Sequence, residues 1–438
     1  MHVGAVRGSG LSRPASGATK DVPLLEQAAR LLAANTREAS ESGRSYRYAI
    51  PSPRRYRFQW HWDSCFHAIV WAAIDVERAR DELRSLVARQ TKPGLLPHIV
   101  YWQADLIGRT DAPYLESSGI DWLVPGRRPR ASAQMQPPVV AQALEAVVAA
   151  DMDDRFLQEL LPSVARHYRY LADARDSDRD ALVSVISQFE TGLDFSPLFD
   201  PIPGQVDPSP RRLRTRARLS QTFNKFCNHR PAVVLRLNPL QWEDVLVNSV
   251  YADGLAALAR LARRAGDEQL ASWAAMHAEA TLTALLERCY DPERGLFFSL
   301  AGRRERHVPL TTIVSLMPLL IETLPSEIAA RLVEHLSDPR KFWSRYPVPS
   351  VALDEPSFIP TAEVQGRRCI WRGPCAPNTN WLLARGLRRH GYHDLAATVA
   401  ERTRELAARG GFNEFYNPLD GTPVGAPEFG WGTLAAVI

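Results

Sequence analysis

The sequence predicts an all-α protein whose helices pair into a ring and whose chemistry sits in the loops. Three observations lead there. Apolar residues recur at three- and four-residue steps in about twelve segments, the signature of amphipathic helices. Short and long connections alternate between those segments. The long connections hold most of the Pro, Gly and aromatic residues together with the carboxylates a site would need.

The helical segments run near 23–35, 64–74, 77–90, 137–150, 154–173, 244–265, 267–288, 310–320, 326–337, 377–391 and 393–409. In 244–265 the apolar positions Val245, Leu246, Val250, Leu255, Leu258, Leu261 and Ala262 keep to one helical face. Gly266 then stops that helix and Asp267 caps the next. The brief link His390-Gly391-Tyr392 makes 377–391 and 393–409 antiparallel neighbours. Long connections fall at 48–63, 91–136, 186–243, 290–309, 338–376 and 410–430, so a ring of pairs would gather its loops at one end. The last segment, 431–438, is short, so the ring is expected to close weakly or with a partner's help. Composition does not break along the chain, which predicts one unit over 21–438 after a disordered Gly- and Ser-rich tail at 1–20.

A chain of 438 residues that is 45% apolar and 23% charged has the composition and length to bury a large core. Its net charge of +4, carried almost wholly by Arg, is too small for a nucleic-acid binder. The one dense basic run, Arg211, Arg212, Arg214, Arg216 and Arg218, reads either as a solvated loop or as an anion site. The cysteines Cys65, Cys227, Cys289, Cys369 and Cys375 are scattered and form no zinc pattern, which fits reduced thiols in a cytoplasmic protein. The first residues lack the apolar core of a secretory signal. No apolar stretch reaches the roughly 20 residues that span a bilayer, so no membrane contact is expected.

The loops hold what a carbohydrate pocket needs: aromatic faces to stack on sugar C–H groups, and carboxylates and amides to bond hydroxyls. They read Phe58-Gln59-Trp60-His61-Trp62-Asp63-Ser64, Gly94-Leu95-Leu96-Pro97-His98, Gln136-Pro137-Pro138, Glu190-Thr191-Gly192-Leu193-Asp194-Phe195-Ser196-Pro197, Trp371-Arg372-Gly373-Pro374 and Phe412-Asn413-Glu414-Phe415-Tyr416-Asn417-Pro418. Each residue also has a plainer role open to it. Asp194 could be a turn residue, Glu414 a surface acid, Trp60 and Trp62 core. Asp63 could serve the positive end of a helix. His67 is expected on a buried helix face, and His98 is either structural or pocket-lining.

FQWHWDSCFHA at 58–68 resembles the signature of glycoside hydrolase family 63, nearest to its bacterial glucosylglycerate and mannosylglycerate hydrolases. ETGLDFSP at 190–197 resembles that family's E-S-G-x-D-x-S-P block, and FNEFYNPLDG at 412–421 its closing E-x-Y-x-P-x-x-G block. WRGP at 371–374, followed by Asn380-Trp381, matches another block, and all appear in the family's order. The resemblance implies an (α/α)6 barrel, Asp194 as general acid and Glu414 as general base. It also implies that Asp63, with Gln59, Trp60 and Trp62, binds the sugar, with Gln136, Trp371 and Arg372 as further contacts. It implies no metal and no organic cofactor. Hydrolysis with inversion needs one protonated carboxyl on the leaving oxygen and one carboxylate on a water at the opposite face, roughly 6.5–9.5 Å apart.

The sequence also departs from the pattern. Ile370 stands where the family has an aromatic ring and Ala376 where it has Trp, which should widen the pocket. Around 201–240, where the relatives hold glycerate, Arg218 and Phe223-Asn224-Lys225-Phe226 supply charge but no tyrosine hydroxyl. The expected function is therefore an inverting α-glycosidase acting on a small α-glucoside or α-mannoside such as glucosylglycerate. An α-glucosidase for neutral di- and oligosaccharides and a non-catalytic sugar-binding barrel remain as alternatives. The expected partner is a small carbohydrate.

Overall fold

The computed structural model describes residues 23–103, 130–200, 209–237, 241–364 and 367–438. The tail expected at 1–20 lies outside these residues. The chain folds through α1 (Leu24–Asn35), α2 (His61–Ala72), α3 (Val76–Val87), α4 (Val140–Asp151), α5 (Asp154–Arg175), α6 (Pro210–Phe226), α7 (Pro231–Leu237), α8 (Val245–Ala265) and α9 (Glu268–Ala284). A 3-10 helix at Ile313–Leu320, α10 (Ser326–Ser337), α11 (Pro377–Arg389), α12 (His393–Gly410) and a second 3-10 helix at Gly430–Ala436 complete it. Side-chain caps set several boundaries: Asp75, Asp153, Asp244 and Asp267 each accept a first-turn N–H. Gly266 ends α8 in the left-handed conformation at φ +79°, the stop that the sequence predicts.

These helices close an (α/α)6 barrel. α2, α4, α8, the 313–320 helix, α11 and the 430–436 helix touch in that order, and the last returns to α2. Outside them, α3 packs on α2, α5 on α4, α9 on α8, α10 on 313–320, α12 on α11, and α1 on 430–436. The short last helix therefore contacts both α2 and α11, and the ring closes among the described residues. Burial follows position in the ring. The inner 313–320 helix is buried at every residue, whereas outer α12 buries only Ala396, Val399, Ala400, Thr403, Leu406 and Ala407, one face at helical spacing. α8 is long and apolar enough to cross a bilayer by length and composition alone. Its apolarity instead reflects an inner-ring position enclosed by neighbours on most sides.

Two expectations need correction. The inner segments 313–320 and 430–436 are 3-10 rather than α-helical; Pro318 in the first and Gly430 and Gly432 in the second disfavour the α-helix. The arginine run is not a loop: Arg211 to Arg218 lie in α6. That helix buries Leu213, Ala217, Gln221 and Asn224, a stripe half of whose members are polar. Asn224 Nδ2 donates to the Ile186 carbonyl at 2.8 Å, and Gln134 Nε2 donates to Gln221 Oε1 at 2.7 Å. A stripe held by hydrogen bonds gives no apolar period for a sequence reading to find.

Short strands brace the loops. Gln59–Trp60 pairs antiparallel with Ile99–Val100. Asn413–Tyr416 pairs with Pro423–Pro427, and the register shifts between Asn413 and Phe415: Gly425 and Ala426 together oppose Glu414, so a bulge falls on the second strand.

Candidate active site

The cavity-lining residues come from connections that lead from an outer helix into the next inner one, and from the first turns of α2 and of the 430–436 helix. They enclose two chambers that share Tyr56, Trp60, His98, Asp194 and Ile370 as walls. Trp62, Asp63, Gln136, Gly192, Trp371, Glu414 and Trp431 are among the other walls of the inner chamber. Arg55, Arg57, Phe58, Phe195, Arg214 and Arg368 are among the walls of the outer one, about 320 Å³ in volume.

The floor of the inner chamber is aromatic and tightly held. The Trp62 ring meets Trp431 edge-on at 5.5 Å between centroids and lies 6.5 Å from Trp371. Gly192, at φ +73°, leaves room for it: a Cβ there would sit 2.5 Å from Trp62 Cη2. Gln136 Oε1 accepts the Trp62 N–H at 3.0 Å, which satisfies a first-turn donor of α2 and ties that helix to the 136 loop. Asp63, also in the first turn of α2, is 2% exposed. Its Oδ1 and the Trp60 Nε1 are buried with no hydrogen-bond partner among the described residues. Burial, reinforced by nearby Glu414, pushes the Asp63 carboxyl well above its ordinary range. An unmet acceptor and an unmet donor in one chamber is the arrangement that polyhydroxylated ligands satisfy.

Asp194 is positioned by its own loop. Glu190, four residues earlier, forms a two-armed ion pair with Arg175 at 2.6 and 2.8 Å, both side chains fully buried. The same carboxylate accepts the N–H groups of Met135 at 3.0 Å and Ile186 at 2.7 Å, binding three segments together. The loop then turns through Gly192 and through Phe195 at φ +62°, and Gln188 Oε1 accepts the Phe195 N–H at 3.2 Å.

Glu414 lies opposite the bulge, where Gly425 leaves it room: a Cβ on that glycine would sit 2.8 Å from Glu414 Oε2. Glu414 itself is 1% exposed. Its Oε1 accepts from the Tyr56 hydroxyl at 2.8 Å and from an Arg368 Nη, and its Oε2 accepts the Ala426 N–H at 2.8 Å. Burial holds the Tyr56 phenol well above its ordinary value, so it acts as a donor. Burial disfavours the Arg368 cation, but Glu414, Tyr56 and Asp194 outweigh that and keep it charged. The Arg368 guanidinium also lies 5.1 Å from the centre of the Tyr56 ring.

Known proteins agree with this architecture. The family model described as the mannosylglycerate hydrolase MGH1-like glycoside hydrolase domain matches residues 56–432. The chain belongs to this family. The mannosylglycerate hydrolase of Thermus thermophilus is 30% identical to it over 416 residues, covering 89% of this chain and 96% of the relative. The glucosylglycerate hydrolase of Mycolicibacterium hassiacum is 26% identical over 439 residues, covering 88% of this chain and 92% of the relative. Among solved structures, a family 63 mannosylglycerate hydrolase of Thermus thermophilus in complex with Tris and D-glycerate superposes with a TM-score of 0.80 and 29% identity. That match covers 95% of this chain and 99% of the other. The protein is thus a glycoside hydrolase of family 63, in the branch that cleaves small glycosides.

In this hydrolase Trp60, Trp62, Asp63, Gln136, Asp194, Trp371 and Glu414 converge on the inner chamber, and His98 and Ile370 join them. Two residues expected to touch the sugar do not line either chamber. Gln59 is fully buried behind the wall, where its Nε2 donates to Ser64 and Ser85 and its Oε1 accepts from Trp102 Nε1. Strand alternation explains this, because Trp60 faces the chamber and its neighbour faces away. Arg372 is fully buried in a two-armed ion pair with Asp200 at 2.7 and 2.9 Å, and it donates to the Phe195 carbonyl at 3.0 Å. It holds the loop that carries Asp194 rather than the substrate. Ala376 is buried at the start of α11 away from both chambers, so only the Ile370 departure reshapes the cavity. Arg218 is exposed. The cavity-facing arginine of α6 is Arg214, which packs on the Phe195 ring at 6.0 Å.

Sequence reasoning missed Tyr56, Arg214 as the inward member of its run, and Arg368. The only available signal was Arg and Tyr residues flanking recognised motifs. His67 is fully buried, as expected. One acidic cluster among the described residues, Asp178, Asp180, Glu243 and Glu305, has its oxygens within 4.8 Å of one another and could hold a cation. Arg288 already reaches it, with Nε 3.0 Å from Asp180.

Proposed function

We propose that this hydrolase cleaves a small α-glycoside with inversion and that its leaving group is an anion of the kind in mannosylglycerate or glucosylglycerate. Asp194 is the general acid and Glu414 the general base. One observation carries the reading: Asp194 lines both chambers, Glu414 lines only the inner, and Arg214 lines only the outer. A sugar in the inner chamber and an aglycone in the outer would put the glycosidic oxygen at Asp194. The names of the relatives and the D-glycerate bound to one of them support the same substrate class.

The residues divide the work accordingly. Trp62 and Trp371 offer apolar faces to the ring, and Asp63 Oδ1 accepts a sugar hydroxyl. Asp194 gives its proton to the leaving oxygen as the C–O bond breaks. Glu414 takes a proton from the water that forms the new bond to the anomeric carbon on the opposite face. Arg214 has no acid partner among the described residues, so a carboxylate in the outer chamber gains a charge-assisted bond without displacing one.

Proton NMR of mannosylglycerate and glucosylglycerate hydrolysis tests the reading. β-Hexose as the first-formed anomer is expected. First-formed α-hexose would overturn inversion, and sugar binding without turnover would return the chain to a non-catalytic barrel. Asp194→Asn and Glu414→Gln are each expected to lower kcat by roughly 10²–10⁴-fold while the circular dichroism spectrum stays unchanged.

A further inference from the structure

Arg368 stands between the two chambers and serves both. On one side it is ion-paired to Glu414 Oε1. On the other it forms part of the outer wall with Asp194 and Arg214. Arg214 Nη2 lies 3.4 Å from the Arg368 carbonyl, so the two arginines are neighbours on that wall. The Arg368 Nε is buried and has no hydrogen-bond partner among the described residues, so the guanidinium is not saturated where it stands. The residue sits on a hairpin of two-residue strands, Glu363–Val364 with Arg367–Arg368, which has little ladder to hold it. Glu414, by contrast, is held redundantly: the Tyr56 hydroxyl at 2.8 Å and the Ala426 N–H at 2.8 Å fix both its oxygens without Arg368.

A cation paired to a general base weakens it, because the base must give up that pairing as it takes a proton. We propose that Arg368 is a positioning residue that ties base strength to substrate charge. In the free protein it neutralises Glu414, and an anionic aglycone in the outer chamber draws the guanidinium across, leaving the base in place on Tyr56 and Ala426. The anion needs the second cation because it enters a site that already holds Asp194 and Glu414. Neutral glycosides then meet a weakened base, and selectivity for an anion appears in turnover as well as in binding. The inference rests on Glu414 being the base. The titratable and charged groups that face Glu414 are Tyr56 from the loop before α2, Asp63 from α2, Asp194 from its loop, Arg368 from the hairpin, and His98 across the chamber.

The test compares pH profiles for mannosylglycerate and a neutral nitrophenyl α-mannoside, in the parent and in Arg368→Gln and Arg368→Lys. The acidic limb of kcat/KM reports the free protein and that of kcat the complex. In the parent, the kcat limb for mannosylglycerate is expected about one pH unit above the kcat/KM limb, and the two should coincide for the neutral substrate. In Arg368→Gln the separation should vanish and the anion-over-neutral ratio of kcat should fall about tenfold. KM for mannosylglycerate should rise only a few-fold, because Arg214 remains. Arg368→Lys should restore part of the separation. A direct field from the substrate's own charge would survive Arg368→Gln, so a persisting separation overturns the inference. Coincident limbs in the parent also overturn it, as does a change confined to KM. Loss of Glu414 as the base would show differently, as unchanged turnover in Glu414→Gln.

Discussion

Two Arg–Glu pairs, alike in chemistry, differ in what surrounds them. Arg175–Glu190 is fully buried behind the site, with both carboxylate oxygens committed to the guanidinium and to two backbone N–H groups. Arg368–Glu414 borders a cavity, with the arginine side chain 19% exposed and the carboxylate 1% exposed. The first pair can change only if the fold opens, and the second can exchange partners with a ligand. A buried pair whose carboxylate is fully committed makes a scaffold, and a pair that borders a cavity makes a site.

Substitution should separate the two pairs clearly. Glu414→Gln should remove activity and leave the melting temperature within a few degrees of the parent. Glu190→Gln should do the reverse. It strands a buried guanidinium, at a cost of about 3–5 kcal/mol, read as a large fall in melting temperature with activity surviving in whatever remains folded. Equal melting temperatures for the two variants would erase the distinction. A smaller effect sharpens the open side of the contrast. Arg214→Gln should raise KM for mannosylglycerate roughly 10- to 100-fold, in line with a charged hydrogen bond of about 1.5–3 kcal/mol. It should leave a neutral nitrophenyl mannoside unaffected, and equal loss on both substrates would mean that Arg214 holds only the wall.

Glu243 lies between these cases, buried among acids with Arg288 as a shared cation. Burial, then Asp180 and Asp178, raise its carboxyl from the ordinary 4.5 to about 8. The folded state therefore favours the protonated form, so its contribution is intact below about pH 4.5 and is lost as pH rises toward about 8. Glu243→Gln should be more stable than the parent at pH 8 by on the order of 4 kcal/mol, with little difference at pH 4. Denaturant unfolding at the two pH values measures this, and a pH-independent difference would refute it.

The ring was legible in the sequence because each of its helices carries an apolar face, including the two that turned out to be 3-10. α6 was not, because Gln221 and Asn224 occupy half of its buried stripe and are satisfied by hydrogen bonds that no periodicity records. The carboxylates and tryptophans of the inner chamber were legible through their motifs. Arg372 and Gln59 share those motifs but point the other way, since a motif fixes neighbours in sequence and not the face on which each lies. Tyr56 and Arg368 escaped for a related reason: they meet at Glu414 from separate segments, Tyr56 from 358 residues away, a convergence that only folding produces.

The wedge that holds Trp62 has a consequence for how this enzyme can diversify. Gly192 cannot gain a Cβ without striking the indole, and Trp371 flanks the same ring from a left-handed backbone at φ +62°. Changes at the sugar end therefore disturb backbone conformation as well as contact. Away from the residues it shares with the inner chamber, the outer wall includes side chains of separate segments, Phe58 and Arg214 among them, that stand clear of this wedge. Single substitutions on that outer wall are therefore expected to change the leaving group with less disturbance than substitutions around Trp62 would cause.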